Sequence, residues 1–263
     1  FKVTNSPYGK DILAQLVASC QRREVPLCLY HSVVDWHHPN YPNQGRSHEL
    51  AEPLPGDEPD MERYTEFLRA QVRELCTEYG KLHGFWWDMN VSGIRDPSIN
   101  DMIRQLQPDA VINNRGFDQG DFGTPERDYD RTVAEARRFD VRTEACQSVG
   151  RESWGYKEDE DYYSVRHLIR SVDRTLAKGG NYLLNIGPKA DGTLPAEGVE
   201  LLQAVGAWFK RVRRSFDGAE PAPELTHNSE VLLTRKENRI YVHLAQDPTC
   251  ARVVLDQIAV APK

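Results

Sequence analysis

The chain contains 263 residues, 39% of them hydrophobic and 28% charged, which is ordinary for one large α/β domain or for a domain plus a small appendage. Its formal net charge is −7 and no basic stripe is present, so general nucleic-acid or membrane-surface binding is not expected. No run of about 18 apolar residues could span a membrane, and the segment FKVTNSPYGKD shows no signal-peptide pattern. We therefore expect a soluble protein and assign no compartment.

The cysteines do not suggest a disulfide framework or a zinc site. They are widely spaced, odd in number and contain no CxxC pair. Unpaired, buried thiols are therefore expected. The five positions are Cys20, Cys28, Cys76, Cys146 and Cys250.

The first half of the chain alternates helical and strand patterns. A helix is predicted over 7–24, where apolar residues share one face, and a short β-like run follows over 26–34. Residues 40–60 are rich in Pro, Gly, Asn and Glu and are expected to form a long surface loop. Then follow an amphipathic helix over 61–80, a strand over 84–89, a helix over 97–107 and a strand over 110–115.

The second half continues the alternation and then changes character. After Arg115 comes a long irregular stretch rich in Gly, Asp and Arg. The next predicted elements are a weak strand over 142–149, a helix over 159–178, a strand over 180–188 and a helix over 196–212. Beyond Pro221, the alternating pattern VLLTRKENRIYVHLA predicts two strands with a turn near Glu237 and Asn238, as at the start of an all-β appendage.

Alternating strands and helices imply a parallel sheet covered by helices. Polar and aromatic residues cluster just after the predicted strands, which fits a (β/α)8-like barrel with its site at the carboxyl ends of the strands. A doubly wound sheet is the alternative, but such sheets usually carry a Gly-rich turn, and no GxGxxG is present. We expect the barrel to occupy residues 1–215 and the β appendage residues 216–263.

The strongest candidate for catalysis is Asp88, at the end of the apolar strand GFWWD. A carboxylate there is costly to bury without a partner. The neighbouring Trp86 and Trp87 offer indole faces, and the apolar face of a pyranose can stack on such a ring. These features predict a sugar site with Asp88 as a catalytic carboxylate. An aspartate that caps the following turn is the alternative.

A glycosidase needs a second carboxyl group to protonate the leaving oxygen. Glu126 lies in DFGTPE, a predicted loop, and Glu144 lies in the next strand-like segment. Glu126 could instead be a solvated loop acid. Glu144 could instead be a structural partner of Arg115 or Arg142.

Other residues near the strand ends could bind a sugar. Arg115 ends the segment AVINNR, where a guanidinium can hydrogen-bond ring hydroxyls or form a plain ion pair. Trp36 and Trp154 lie in loop-like segments and could be core residues or sugar platforms. The histidines at 31, 37 and 38 lack the spacing of a metal site, so no metal is expected.

Together, several segments resemble the α-L-fucosidase family, glycoside hydrolase family 29. Their order and spacing over residues 7–212 make the resemblance specific, and the Gly-Gly-Asn-Tyr-Leu-Leu-Asn-Ile-Gly-Pro block carries most weight. The segments are Leu29-Tyr30-His31-Ser32, Asp35-Trp36-His37-His38-Pro39, Phe85-Trp86-Trp87-Asp88, Asn114-Arg115, Thr124-Pro125-Glu126, Glu144, Ser153-Trp154-Gly155-Tyr156, Gly179 to Pro188, and Asp191-Gly192.

The resemblance implies a retaining exo-glycosidase that removes terminal α-L-fucosyl residues from a fucosylated oligosaccharide or glycoconjugate, without a cofactor. It implies Asp88 as the nucleophile, Glu126 as the acid/base residue with Glu144 as second choice, and Arg115 as a sugar contact. The residues expected to bind the substrate are Tyr30, His31, Trp36, Trp87, Arg115, Glu144 and Trp154.

The sequence departs from the family pattern at its beginning. Family members normally start with about two further βα units of the eight, which carry a His-His-Asp-Gly-Phe motif that binds fucose. His37 and His38 belong to a later segment and are not its equivalent. The expected barrel is therefore incomplete at its N-terminus, as in a fragment or in a short form that homo-oligomerises to cover its open edges. A fucosidase-like carbohydrate-binding protein with little turnover, or a retaining glycosidase for another sugar, remain alternatives.

Overall fold

A computed structural model describes residues 3–42, 55–90, 93–127, 137–228, 231–244 and 254–255. These residues fall into two compact units, one up to Phe122 and the other from Gly123 onward. Within the described ranges, no helix combines the length and apolar character that crossing a membrane requires.

The helices confirm the predicted pattern, but two of them begin later than predicted. Asp11 caps the helix that begins at Ile12 by accepting from the backbone N–H of Ala14, and Ser164 caps the helix that begins at Val165 by accepting from His167 N–H. Such caps satisfy N–H groups that the first helical turn leaves without partners, so these helices begin later than the apolar pattern predicts. The helices are α1 (Ile12–Arg22), α2 (Met61–Glu78), α3 (Pro97–Leu106), α4 (Val165–Ala177) and α5 (Ala196–Val212).

The first unit contains a three-stranded parallel sheet in the order β1-β2-β3. Its strands are β1 (Cys28–Ser32), β2 (Gly84–Asp88) and β3 (Val111–Ile112). In the register of β1 and β2, Tyr30 pairs with Trp86 and Ser32 pairs with Asp88. The parallel arrangement predicted from the alternation is therefore confirmed in this unit.

Strand β3 is shorter than predicted because the side chain of Asn113 replaces the backbone hydrogen bonds that would extend the strand. Asn113 is fully buried, and its carboxamide pairs with the backbone of Trp87. The Oδ1 atom accepts from Trp87 N and the Nδ2 atom donates to Trp87 O, both at 2.8 Å. A side-chain amide thus supplies the bonds that a backbone peptide would make in a regular ladder.

The second unit contains a parallel pair, β4 (Glu144–Ser148) and β5 (Asn181–Asn185). It also contains an antiparallel sheet of β6 (Glu220–Pro221), β7 (Val231–Lys236) and β8 (Arg239–Leu244). The turn between β7 and β8 falls at Glu237 and Asn238, as predicted, with Glu237 at φ 52°. The strands expected beyond Pro221 are therefore confirmed.

Each parallel sheet has one face packed in a core. In the first unit, Leu29, Phe85 and Trp87 pack with Leu68 of α2 and Ile103 of α3. In the second unit, the core is formed by Val149, Tyr163, Leu168, Val172 and Val205, with Tyr182 and Leu184 of β5 packed against it. The other face of each sheet carries polar side chains, such as Asp88 in the first unit and Asn185 in the second.

None of the four cysteines in the described ranges is in a disulfide. Cys76 and Cys146 are buried, as expected. Cys28 is exposed and Cys20 is half-buried, so the expectation of burial is wrong for these two. The reason for Cys28 is its position on the open face of β1, where alternate residues point away from the core. Cys250 lies outside the described residues.

Candidate active site

The alternation of side chains along β1 and β2 decides which residues reach the open face of the sheet. Tyr30 and Ser32 of β1 lie beside Trp86 and Asp88 of β2. Because successive side chains point to opposite faces of a sheet, these residues share one face. The residues between them, His31 and Trp87, point to the core side of the sheet.

Two hydrogen bonds orient the carboxylate of Asp88. Its Oδ1 accepts from Arg115 Nη1 at 3.0 Å, and its Oδ2 accepts from the phenol of Tyr30 at 2.9 Å. The Asp88 side chain is 24% exposed and that of Arg115 is 19% exposed. A nucleophile must be held in one orientation and still be accessible, and Asp88 meets both requirements.

An aromatic surface lies directly beside this carboxylate. The guanidinium carbon of Arg115 is 4.7 Å from the centre of the Trp86 ring. Tyr30 and Trp86 stack with ring centres 5.8 Å apart and an interplanar angle of 19°. Arg115, Trp86 and Tyr30 therefore form a layered group that holds polar donors and an apolar ring face next to Asp88.

Trp87 does not belong to this surface, so its assignment as a substrate-binding residue is corrected. Its side chain has no exposed area, its Nε1 donates to Asn100 Oδ1 at 2.9 Å, and its ring meets Phe117 edge-on. A fully buried indole presents no face to a sugar. Trp86, two residues before Asp88, lies on the open face instead, as strand alternation alone would indicate.

His31 is also corrected, because this half-buried residue points away from the open face of the sheet. Its ring lies on the core side of the sheet, with its centre 6.0 Å from the ring of Phe85 and 5.4 Å from that of Trp87. Its Nδ1 lies 2.6 Å from the carbonyl oxygen of Ser32. Burial lowers the pKa of His31 below its ordinary value. Trp36 is half-buried and packs against the core cluster that contains Tyr64.

Asn90, which the sequence analysis does not single out, fixes the turn after Asp88. Met89 adopts a left-handed conformation at φ 56°, which is uncommon for a residue other than glycine. Asn90 Nδ2 donates to Ile94 O at 3.0 Å and to Gly116 O at 2.8 Å. Asn90 thereby ties the turn after Asp88 to the residue that follows Arg115. Backbone conformations of this kind cluster at functional sites.

In the second unit, Glu126 lies on a strand-like segment, so the predicted loop is wrong at this residue. Cys146 N donates to Pro125 O at 3.0 Å, and Arg127 N donates to Cys146 O at 2.9 Å. Glu126 bridges Cys146 in parallel. Because Glu144 lies two residues before Cys146, the side chains of Glu126 and Glu144 share a face of this sheet. Glu126 is exposed and Glu144 is half-buried.

The turn that carries Trp154 is anchored at the carboxyl ends of β4 and β5. Asn185 Nδ2 donates to Trp154 O at 2.6 Å, and Ser148 Oγ donates to Ser153 O at 3.0 Å. Trp154 itself is 36% exposed. The Asn-Ile-Gly-Pro end of β5 therefore supports the Ser-Trp-Gly-Tyr segment.

Gly187→Ala is expected to disrupt this support. A Cβ at position 187 would lie 2.3 Å from the carbonyl carbon of Gly155, so one of two backbones must move. We expect a loss of about 1–3 kcal/mol in the free energy of unfolding, measured by denaturant titration. Gly206→Ala in α5 is the matched control, because its Cβ would meet nothing within 4 Å. Equal stability of the two variants would contradict the proposed contact.

The described ranges contain no group of three or more His, Cys, Asp or Glu side chains placed to hold a metal ion.

Comparison with known proteins supplies the family. The profile of the α-L-fucosidase family matches residues 1–213. An α-L-fucosidase of Dictyostelium discoideum is 25% identical over 94% of this chain and 54% of its own length. The tissue α-L-fucosidase of Bos taurus is 24% identical over 91% of this chain and 51% of its own length. The chain thus spans about half the length of these curated relatives.

Solved structures agree with this assignment. An α-L-fucosidase isoenzyme of Paenibacillus thiaminolyticus superposes with a TM-score of 0.76 and 29% identity, over 92% of this chain and 62% of that one. An α-L-fucosidase of Bacteroides thetaiotaomicron, trapped as a covalent intermediate in complex with 2-fluoro-fucosyl fluoride, gives a TM-score of 0.70 and 25% identity, over 90% of this chain and 58% of that one. The resemblance drawn from the motifs is confirmed, and the chain belongs to the α-L-fucosidase family, glycoside hydrolase family 29.

Proposed function

We propose that this chain carries the catalytic machinery of a retaining exo-acting α-L-fucosidase. The observation that carries the proposal is the carboxylate of Asp88 at the end of β2, oriented by Arg115 and Tyr30 on the open face of the sheet. In this mechanism, Asp88 attacks the anomeric carbon while Glu126 protonates the leaving oxygen. Glu126 then removes a proton from water as the water oxygen bonds to the anomeric carbon, and the bond between that carbon and Asp88 breaks to release the sugar.

The finer fold assignment is part of the proposal. In both units, the parallel strands have one face packed in a core with helices and an opposite face that carries polar side chains, such as Asp88 and Glu144. This pattern is what the strands of a (β/α)8-like barrel require, because one face lines the barrel and the other meets the helices. We assign the barrel to residues 1–215 and the β appendage to residues 216–263.

The proposed substrate is a fucosylated oligosaccharide or glycoconjugate. Support comes from the relatives, since the Bacteroides thetaiotaomicron structure is a covalent intermediate in complex with a fucosyl fluoride. In this chain, Tyr30, Arg115 and Trp86 provide the polar donors and the ring face beside Asp88. Trp154, Glu144 and Trp36 are proposed as further substrate contacts. The two-carboxylate mechanism itself requires no cofactor.

Hydrolysis of p-nitrophenyl α-L-fucoside by the protein that carries this chain tests the proposal. We expect release of p-nitrophenolate, with α-L-fucose as the first-formed anomer by NMR, because two displacements restore the configuration. Other aryl glycosides serve as the control panel. Binding of fucose without turnover would favour the carbohydrate-binding alternative. Turnover of another aryl glycoside alone would mean that the site takes a sugar other than fucose.

The separation of the two carboxyl groups is a further prediction. A retaining pair lies about 5 to 5.5 Å apart, because no water intervenes between the nucleophile and the anomeric carbon, whereas an inverting pair lies about 6.5 to 9.5 Å apart. We expect the retaining value for Asp88 and Glu126 in a crystal structure with a fucose-like inhibitor. If Glu144 occupies that distance instead, the acid/base role moves to Glu144.

A further inference from the structure

Arg127 directly follows the proposed acid/base residue and has an unusual backbone. Its φ is 50°, in the left-handed region that residues other than glycine seldom adopt. Its N–H still donates to Cys146 O at 2.9 Å, so the segment that carries Glu126 remains paired with β4 up to this point. The left-handed conformation therefore falls at the residue next to Glu126, within the segment that pairs with β4.

The side chain of Arg127 reaches the turn that carries Trp154. Its Nη1 donates to Gly150 O at 3.1 Å and to Arg151 O at 2.8 Å. Its guanidinium carbon lies 4.6 Å from the centre of the Trp154 ring. One side chain thus binds two successive carbonyl groups of the turn and contacts its exposed indole, which is a charge-assisted arrangement.

Arg127 therefore links Glu126 to Trp154. Glu126 is one peptide bond away from it, and Trp154 is in contact with its guanidinium. The indole is 36% exposed, so part of it is still accessible to a ligand. A ring held in this way is a platform on which the apolar face of a sugar can stack.

We infer that Arg127 is a positioning residue that sets Glu126 and Trp154 for a carbohydrate leaving group. The inference rests on the proposed function, in which Glu126 protonates the leaving oxygen. Because Arg127 follows Glu126 and contacts Trp154, the Trp154 indole then lies on the leaving-group side of the glycosidic bond. There it stacks on the departing sugar. Loss of Arg127 impairs cleavage of fucosyl–sugar bonds and spares a substrate without such a group.

Arg127→Gly is the informative substitution, because it removes the guanidinium and because glycine accepts the left-handed backbone without strain. We compare kcat/KM for a fucosyl-N-acetylglucosamine disaccharide with that for α-L-fucosyl fluoride, which needs little acid assistance and has no leaving sugar. A displacement of about 1 Å in an active site can cost about 10²-fold in rate. We expect a loss of about 10- to 10²-fold on the disaccharide, mostly in KM if stacking dominates, and less than about 3-fold on the fluoride.

Arg151→Ala is the matched control. Arg151 lies in the same turn and also contacts an aromatic ring, with its guanidinium carbon 4.9 Å from the centre of Tyr163, but its ion pair is with Asp161. Its ratio of the two kcat/KM values should stay near that of the wild type. A parallel loss on both substrates in Arg127→Gly would mean a merely structural role and would overturn the inference.

A double substitution tests whether Arg127 influences cleavage through its contact with Trp154. If Arg127 acts through Trp154, Arg127→Gly should cost little more in a Trp154→Ala background, because the partner is already absent. Fully additive losses would overturn the link. A wild-type protein that is inactive on both substrates would instead refute the proposed function, so the two failures are distinguishable.

Discussion

Asp88→Asn is expected to abolish turnover and to leave the fold intact. The amide has the shape of the carboxylate but cannot attack the anomeric carbon, and removal of an essential catalytic group costs about 10⁴- to 10⁶-fold in well-studied hydrolases. The side chain is partly exposed, so the folded state should tolerate the change. Turnover of p-nitrophenyl α-L-fucoside and thermal unfolding are the two measurements.

Azide separates the chemical role of Asp88 from a structural one. In Asp88→Ala, a small anion can occupy the space left and attack the anomeric carbon once, which gives a fucosyl azide of inverted, β configuration. Asp101→Asn is the control, because Asp101 is an exposed carboxylate of α3 in the same unit. Near-wild-type activity of Asp88→Asn would remove Asp88 from the role of nucleophile.

Glu126→Ala is expected to slow substrates in proportion to their need for acid assistance. General acid catalysis is worth about 10² to 10⁴ in rate, and a good leaving group needs little of it. The loss should therefore be large for a fucosyl disaccharide and small for α-L-fucosyl fluoride. Azide should again restore turnover, here with an α-fucosyl azide, because Asp88 still performs the first displacement.

Glu144→Ala is the matched comparison, since both glutamates lie on the same face of their sheet. We expect it to weaken binding or folding without dependence on the leaving group. If Glu144→Ala shows the leaving-group dependence and Glu126→Ala does not, the two roles must be exchanged. The same kinetic series therefore decides between the two carboxyl groups.

The strands and helices could be predicted because their apolar patterns have clear periods. The strand GFWWD and the block around Asn181–Asn185 stand out for this reason. The sequence around Glu126 predicts a loop rather than a paired segment, because Gly123 and Pro125 are poor strand formers. Its pairing depends on carbonyl groups that any residue supplies, Pro125 included.

Side-chain orientation along a strand follows from its two-residue period rather than from proximity in sequence. Trp87 is next to Asp88 in the chain, but the two-residue period sends neighbours to opposite faces of the sheet. That signal was present in the sequence and would also have placed His31 on the core side. The roles of Asn90 and Arg127 had no such signal, because each depends on contacts with carbonyl groups more than 20 residues away, Asn90 with Gly116 and Arg127 with Gly150.

The carboxamide of Asn113 lies between the backbone of β2 and the chain that continues from β3. Backbones in a regular sheet lie about 4.8 Å apart, but here a side chain stands between Trp87 and the chain that continues from β3. Bonds to a side chain therefore replace backbone pairing at this point of the sheet. The next residue of β2 is Asp88, which accepts from the guanidinium of Arg115. A single buried asparagine thus takes the place of a backbone peptide directly before the carboxylate that Arg115 orients.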